Sequence, residues 1–359
     1  MNIKSLLFGS AAALVAVSGA RAADAVVVAE PEPAEYVKIC DVYGAGYFYI
    51  PGTETCLRIG GYVRYDIAAG GVAGGHENVT DKLDGTANDT WHKQGRLSLR
   101  TWTGQETEMG TLKTYTETRF NFNDGWERNS TTGASTAGSQ WSLNFAWIQL
   151  GGFRVGKDES AFDTFIGYAG NVINDTIVPY GTFDTNVIQY YFDGGNGFSA
   201  VISLEDGSGT NTIDSYVPHI VAGAKYTQGW GGITGVFAYD SNYEEWAGKV
   251  RLDVNATEQL SLFIMGGYGS DENAPGNFYK LWEENWAVWG GGTYKLNEKA
   301  SLNAQLSYDE GENFGAAVNV AYDLVPGFTV TGEVNYYNDG KAVGDSDSWG
   351  GIIRFQRDF

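Results

Sequence analysis

Alternation with a period of two runs through most of the chain. From Leu57 the odd positions read Leu57, Ile59, Gly61, Val63, Tyr65 and Ile67, and the even positions read Arg58, Gly60, Tyr62, Arg64 and Asp66. One face is apolar and the other charged, which fits a strand between two unlike environments and does not fit helical spacing. The same pattern sets Trp246, Gly248, Val250, Leu252 and Val254 against Lys249, Arg251 and Asp253. It returns at Leu302, Ala304, Leu306 and Tyr308, then at Phe314, Ala316, Val318, Val320 and Tyr322. Phe328, Val330, Gly332, Val334 and Tyr336 continue it opposite Thr329, Thr331, Glu333 and Asn335. Sixteen such segments begin near residues 55, 94, 111, 140, 152, 186, 198, 219, 233, 246, 260, 286, 300, 314, 328 and 349. An even number suits antiparallel closure, which leaves no sheet edge unpaired.

The connections alternate as well. Short turns such as Gly194, Gly195, Asn196 and Gly197, or Val325, Pro326 and Gly327, follow one end of the strands. Longer polar loops at 68–93, 124–139, 206–218, 270–285 and 338–348 follow the other. Trp246, Trp286 and Trp349 open strands just after long loops, and Tyr226, Tyr268, Tyr294 and Tyr322 are placed near the opposite ends. Rings at both ends of the strands are expected where amphipathic aromatics mark a membrane–water boundary. The predicted fold is all-β: a sixteen-stranded antiparallel transmembrane barrel occupying residues 55–359.

Composition narrows the picture. Mean hydropathy is −0.26, close to that of a soluble protein, but a barrel needs apolar residues only at alternate positions. After residue 22 no apolar run is long enough for a transmembrane helix. With 23 Lys and Arg against 44 Asp and Glu, the net charge of −21 argues against nucleic acid as a partner. A 14% aromatic content excludes a disordered acidic chain. Lys4, the apolar run 6–17 and the small residues Ala20 and Ala22 read as a cleavable export signal over 1–22. Cys40 and Cys56 then belong to an oxidising compartment, where a disulfide is the favoured reading and two free thiols the alternative. The scattered His76, His92 and His219 with no C-x-x-C give no metal site, and no cofactor is called for.

One long connection is unlike the others. Residues 161–186 contain Phe162, Phe165, Ile166, Val172, Ile173, Ile177, Val178 and Phe183, too many apolar side chains for a solvated loop, together with Asp163, Asp175 and Asp184. Such a segment can fold into the barrel and pack on its wall with carboxylates facing the lumen; a surface loop is the alternative. The inward phase of the early strands carries Arg58, Arg64, Arg96, Arg100, Lys113, Arg119 and Arg154. Facing an acidic loop, these cations would set a transverse field across a narrow opening. For any one of them, a structural salt bridge on the wall is the plainer reading.

Residues 40–57, reading CDVYGAGYFYIPGTETCL, resemble the N-terminal signature of alphaproteobacterial general porins of the Brucella and Rhizobium type. AWIQLGGFRVGKDES at 146–160, GGNGFSAVISLE at 194–205, EEWAGKVRLDVN at 244–255 and RFQRDF at 354–359 are similar to that family too. The terminal Phe359 on an alternating strand is similar to a sorting signal of bacterial outer-membrane proteins. The resemblance implies a homotrimer in the outer membrane of a Gram-negative bacterium, in contact with lipid and lipopolysaccharide. It implies passive diffusion of small hydrophilic solutes and ions, with the third long connection as the constriction loop.

The acidic balance leads us to expect weak cation preference. A sugar-selective channel is the nearest alternative. It would line its lumen with aromatics, whereas here only Tyr62, Tyr115 and Tyr191 are expected inside. An outer-membrane enzyme is disfavoured, because there is no G-x-S-x-G and no His beside a Ser–acid set. A secreted sandwich lectin would lack a lipid-facing apolar band.

Overall fold

The computed structural model describes residues 38–72, 76–128, 135–272, 277–340 and 347–359. The expected export signal lies outside these residues, as does the segment following it up to residue 37. Sixteen strands form the barrel: β1 (Cys56–Gly70), β2 (Ala87–Thr107), β3 (Gly110–Arg128), β4 (Ser135–Leu150), β5 (Phe153–Glu159), β6 (Asp184–Gly195), β7 (Phe198–Asp206) and β8 (His219–Gln228), then β9 (Gly231–Asp240), β10 (Glu245–Asn255), β11 (Leu260–Gly269), β12 (Trp286–Asn297), β13 (Ala300–Asp309), β14 (Phe314–Val325), β15 (Phe328–Asn338) and β16 (Asp347–Asp358). Each pairs antiparallel with the next. β16 pairs with β1 from Gly350 opposite Gly70 to Asp358 opposite Tyr62, which closes the ring.

The alternating phases fall where the sequence puts them. Ile59, Val63, Ile202, Ile264, Leu306 and Val334 are all exposed, each on the outward phase of its strand. So many large apolar side chains around the whole circumference make a surface for lipid rather than water. At the long-loop rim, Trp246 lies between Phe237 and Tyr268 (5.9 and 5.7 Å between ring centroids), and Tyr336 meets Trp349 at 4.8 Å. Tyr268 is opposite Trp286 in the ladder, so it belongs to this rim and not to the opposite one as expected. Tyr226, Tyr294 and Tyr322 are near the short-turn ends.

Some expected loops are partly strand. β2 starts at Ala87, because residues 87–91 pair with a short strand at His76–Thr80. Asn88, Asp89 and Thr90 stand above the apolar band, where neither face needs hydrophobic residues, so period two leaves no trace there. β3 and β4 likewise pair to Arg128 and Ser135. At the short-turn end Cys40 and Cys56 form the disulfide. It ties the turn Asp41–Tyr43 and the short strand Phe48–Tyr49 to the start of β1.

Residues 160–183 turn into the barrel. A one-turn helix, α1 (Ala161–Thr164), starts under the cap of Ser160, whose Oγ accepts from Phe162 N at 3.0 Å. Phe162, Phe165, Ile166, Val178 and Tyr180 are buried against Val221, Val236, Ala238, Ala247 and Trp289 of the wall. Each such aromatic or large aliphatic side chain contributes about 1.5–3 kcal/mol. Space is made on the strands: a Cβ on Gly223 would lie 2.8 Å from the Phe165 ring, and one on Gly315 2.7 Å from Ile177.

Candidate functional site

The inserted segment is pinned by polar groups on the inward phase of the later strands. Lys249 of β10 donates to Asp163 Oδ1 at 2.6 Å and to the Tyr180 carbonyl at 2.7 Å, with both charged side chains fully enclosed. Glu205 of β7 accepts from Ala161 N (2.9 Å), Ser160 Oγ (2.7 Å) and the Tyr279 hydroxyl (3.1 Å). Glu333 of β15 accepts from the backbone N–H groups of Ile173 and Asn174, the latter at 2.9 Å, and from Asn319. Trp289 Nε1 donates to the Val178 carbonyl and Gln305 to the Asp175 carbonyl, both at 2.8 Å. These contacts run from β7 to β15, so the loop lies along one side of the lumen. Lys249, Glu205 and Glu333 were not singled out in the sequence, although all three sit on the inward phase.

The three loop acids have different surroundings. Asp163 is enclosed and does not face the lumen. Burial pushes its carboxyl up to about 6, and Lys249 pulls the other way. Asp175 is half-buried and accepts from the Tyr180 hydroxyl at 2.6 Å; burial raises its carboxyl, and that hydrogen bond acts in the opposite sense. Asp184 is at the first position of β6, 66% exposed, and pairs with Lys157 at 2.6 Å. The loop side chains left open are Tyr168, Asn171 and Thr176. A cavity of about 410 Å³ separates Tyr168, Asn171 and Asp175 from Arg354 and Gln356 of β16.

Across that space stand the expected cations, on β1–β5. Arg64 and Arg96 are directly opposite in the ladder. They are not a bare positive wall. Arg100 and Arg119 reach the two oxygens of buried Glu117 at 2.8 and 2.6 Å. Asp66 lies 2.8 Å from Arg354 and 3.5 Å from Arg64. Arg154 pairs with Asp158 at 2.6 Å, and Arg96 donates to Asn121 at 2.6 Å. Like charges one strand spacing (about 4.8 Å) apart repel strongly, and interleaved acids relieve this. Arg58 rests on the Trp102 ring at 4.5 Å. Lys113 is exposed near the short turn between β2 and β3.

A second connection also enters. Residues 270–285 read as an outer polar loop, yet Phe278, Tyr279 and Trp282 are buried. Phe278 N donates to Asp240 at 2.7 Å and its ring stacks on His219 at 5.0 Å; Tyr279 packs edge-on against Phe162 at 5.3 Å. This segment thus braces the base of the inserted loop. More rings face inward than expected. Trp102, Phe145 and Trp147 join Tyr115 on the wall, because each is the ladder partner of an inward residue.

A closed barrel with a lipid-facing band, a polar lumen and an inserted loop defines a transmembrane channel. Residues 24–353 match the porin subfamily. The chain belongs to this family and is an outer-membrane porin channel of the Gram-negative type. It is 53% identical over 378 residues to "Porin Omp2b" of Brucella suis biovar 1, covering all of both chains, and 52% identical over the same length to that of Brucella neotomae. Solved structures share the fold. A variant of the Rh. blastica porin aligns with TM-score 0.56 at 14% identity, over 84% of this chain and 100% of that one. Pseudomonas putida OprB aligns with TM-score 0.58 at 10% identity, over 84% and 94%. Members of this family are channels, not enzymes.

Proposed function

We propose that the chain forms a water-filled, weakly cation-preferring diffusion pore for small hydrophilic solutes, and works as a homotrimer. The observation behind the open path is the placement of the inserted loop along β7–β15. It leaves an aqueous gap against β16 and β1–β5. In this reading Asp175 and Asp184 polarise the gap, Asp163 holds the loop in place, and Arg64, Arg96, Arg100 and Arg119 form the facing wall. Arg58, Lys113 and Arg154 belong to the wall nearer the short-turn end.

Cation preference is supported by the acidic balance of the chain together with partial neutralisation of the arginine wall. Arg100 and Arg119 share Glu117, Arg64 and Arg354 share Asp66, and Arg154 pairs with Asp158, so three carboxylates lower the positive charge of that wall. Glu205 and Glu333 are held by neutral donors, backbone N–H, hydroxyl and amide groups, which satisfy their lone pairs without cancelling their charge. These two carboxylates offset part of the positive charge left on the arginine wall, and the excess of 44 acidic over 23 basic side chains makes the field of the whole chain negative. A reversal potential under a KCl gradient tests this; clear anion preference would overturn it.

Self-association is supported by the outer face of β2 and β3. Thr101 and Thr116, and Thr103 and Thr114, pair by their hydroxyls at 2.6 Å on the outward phase that also carries Leu97 and Leu99. Hydroxyls are poor lipid contacts and good contacts for another copy. The number three comes from the resemblance to general porins. Conductance steps arriving in threes from detergent-purified protein in a planar bilayer would support both readings. Folded protein that gives no steps would refute the pore.

A further inference from the structure

The part of the lumen nearest the short turns carries chemistry that a simple diffusion pore does not need. Arg58, Trp102, Tyr115 and Trp147 form one continuous ladder row across β1–β4. The Tyr115 ring lies 5.4 Å from Trp102, 5.6 Å from Trp147 and 5.4 Å from Phe145, in tilted arrangements. The guanidinium of Arg58 covers one end of the row, 4.5 Å from the Trp102 ring, and that of Arg154 the other, 3.9 Å from Trp147. The rings are half-buried, so each keeps surface toward the water of the lumen.

The polar groups left without a protein partner at this patch are donors. Among the described residues the indole N–H groups of Trp102 and Trp147 meet no protein acceptor, and Arg58 has no ion pair or hydrogen bond. The nearby carboxylates are engaged: Glu117 is buried and saturated by Arg100, Arg119 and the Tyr115 hydroxyl at 2.8 Å, Asp158 pairs with Arg154 at 2.6 Å, and Glu106 accepts from the Tyr43 hydroxyl at 3.0 Å. A ligand that fits must therefore offer an apolar ring face, several acceptor oxygens and a negative charge, and must carry no cation. The row spans about 14 Å at a strand spacing of roughly 4.8 Å, room for one or two six-membered rings. The opening turn of the chain extends the patch: a Cβ on Gly104 would lie 2.7 Å from the Tyr43 ring, so the glycine lets that ring lie over the inward face.

We propose that this aromatic and arginine patch is a resting site for acidic sugars, pyranoses bearing a carboxylate. A sugar ring stacks across Trp102, Tyr115 and Trp147, while Arg58 takes the carboxylate and the indole N–H groups take hydroxyl oxygens. The site rests on the reading of the lumen as an open aqueous path. It is compatible with overall cation preference, because it is local and Arg58 is without an acid partner. A charge-assisted hydrogen bond gives about a tenfold gain over the uncharged sugar.

The test is the concentration dependence of current block by glucuronate, glucose and open-chain gluconate, on the reconstituted full-length protein. Glucuronate is expected to block at concentrations about tenfold below both others. Glucose tests the charge and gluconate the ring. Arg58→Gln should bring glucuronate to the level of glucose. Trp102→Leu and Trp147→Leu should remove the advantage of glucuronate over gluconate, while Trp102→Phe keeps it. Equal block by the three probes, or an advantage that survives both Leu variants in conducting channels, overturns the site and leaves the pore standing. Folded protein that conducts nothing overturns both.

Discussion

Replacing Lys249 by Met tests how the inserted loop is held. The ammonium reaches Asp163 at 2.6 Å and the Tyr180 carbonyl at 2.7 Å, and lies 4.0 Å from the Phe162 ring. Methionine fills the space of the lysine stem but leaves Asp163 enclosed without its counter-ion. Breaking a buried pair from one side costs about 3–5 kcal/mol. The strand ladder does not depend on this contact, and Glu333, Gln305 and Trp289 still hold the far half of the loop. The loss should therefore fall on the segment around α1. Lys249→Met is expected to lower the thermal midpoint of the purified barrel, raise conductance noise and admit larger solutes in liposome swelling. Adding Asp163→Asn removes the stranded charge and should recover more than half of the lost stability, since replacing both partners is far milder than replacing one. The reasoning fails if Lys249→Met alone keeps the wild-type midpoint and exclusion limit. It also fails if the double variant is no better than the single one.

Three further outcomes are expected. Glu117→Gln frees Arg100 and Arg119; one unit charge, taken to act across about 6 Å of water at a Debye length near 10 Å, lowers the cation-to-anion permeability ratio roughly three- to fourfold in 0.1 M salt. An unchanged reversal potential in a conducting variant would contradict this. The Asp163 carboxyl is raised to about 6 against an ordinary 3.8, so the folded state holds its proton more tightly than the unfolded chain. Its stabilising contribution is complete below about 3.8 and lost as pH rises through about 6. The thermal midpoint of wild type relative to Asp163→Asn should rise on going from about pH 7.5 to about pH 5, and a constant difference would refute the assignment. Thr103→Arg places a charge on the outward threonine pair and should yield folded monomers in native mass spectrometry; intact oligomers would move the contact face elsewhere.

Strand phase was legible because lipid and water impose opposite demands on successive residues. Every segment start read from alternation lies within a few residues of an observed strand, except for β2 and β4. There the ladder continues above the membrane and the pattern ends before the strand does. The inserted loop was legible from apolar content alone: Phe162, Phe165 and Val178 have no place in water. Charge could not be read in the same way. Asp163 looked like a lumen acid because sequence does not show that Lys249, 86 positions later, stands opposite it. The arginine wall reads as bare in sequence, whereas Glu117 and Asp66, on the same inward phase, neutralise part of it. Phe278, Tyr279 and Trp282 were passed over because they sit among Asn, Glu and Lys in a connection of ordinary length.

Inward side-chain volume links these observations. On β8–β12 the inward positions include Val221, Gly223, Val236, Ala238, Ala247 and Ala287, small residues that make no lining for water and leave room for something apolar. On β1–β5 they include Arg58, Arg64, Arg100, Arg119 and Arg154, long cationic groups that keep contact with solvent. One side of the cylinder is shaped to be filled, and both inserted loops fill it. The other side is shaped to stay wet. Selectivity must then be written mainly on β16 and β1–β5, together with the loop edge at Tyr168, Asn171 and Asp175. Changes in the remaining outer loops should alter conduction far less than a single charge change at Glu117 or Asp66.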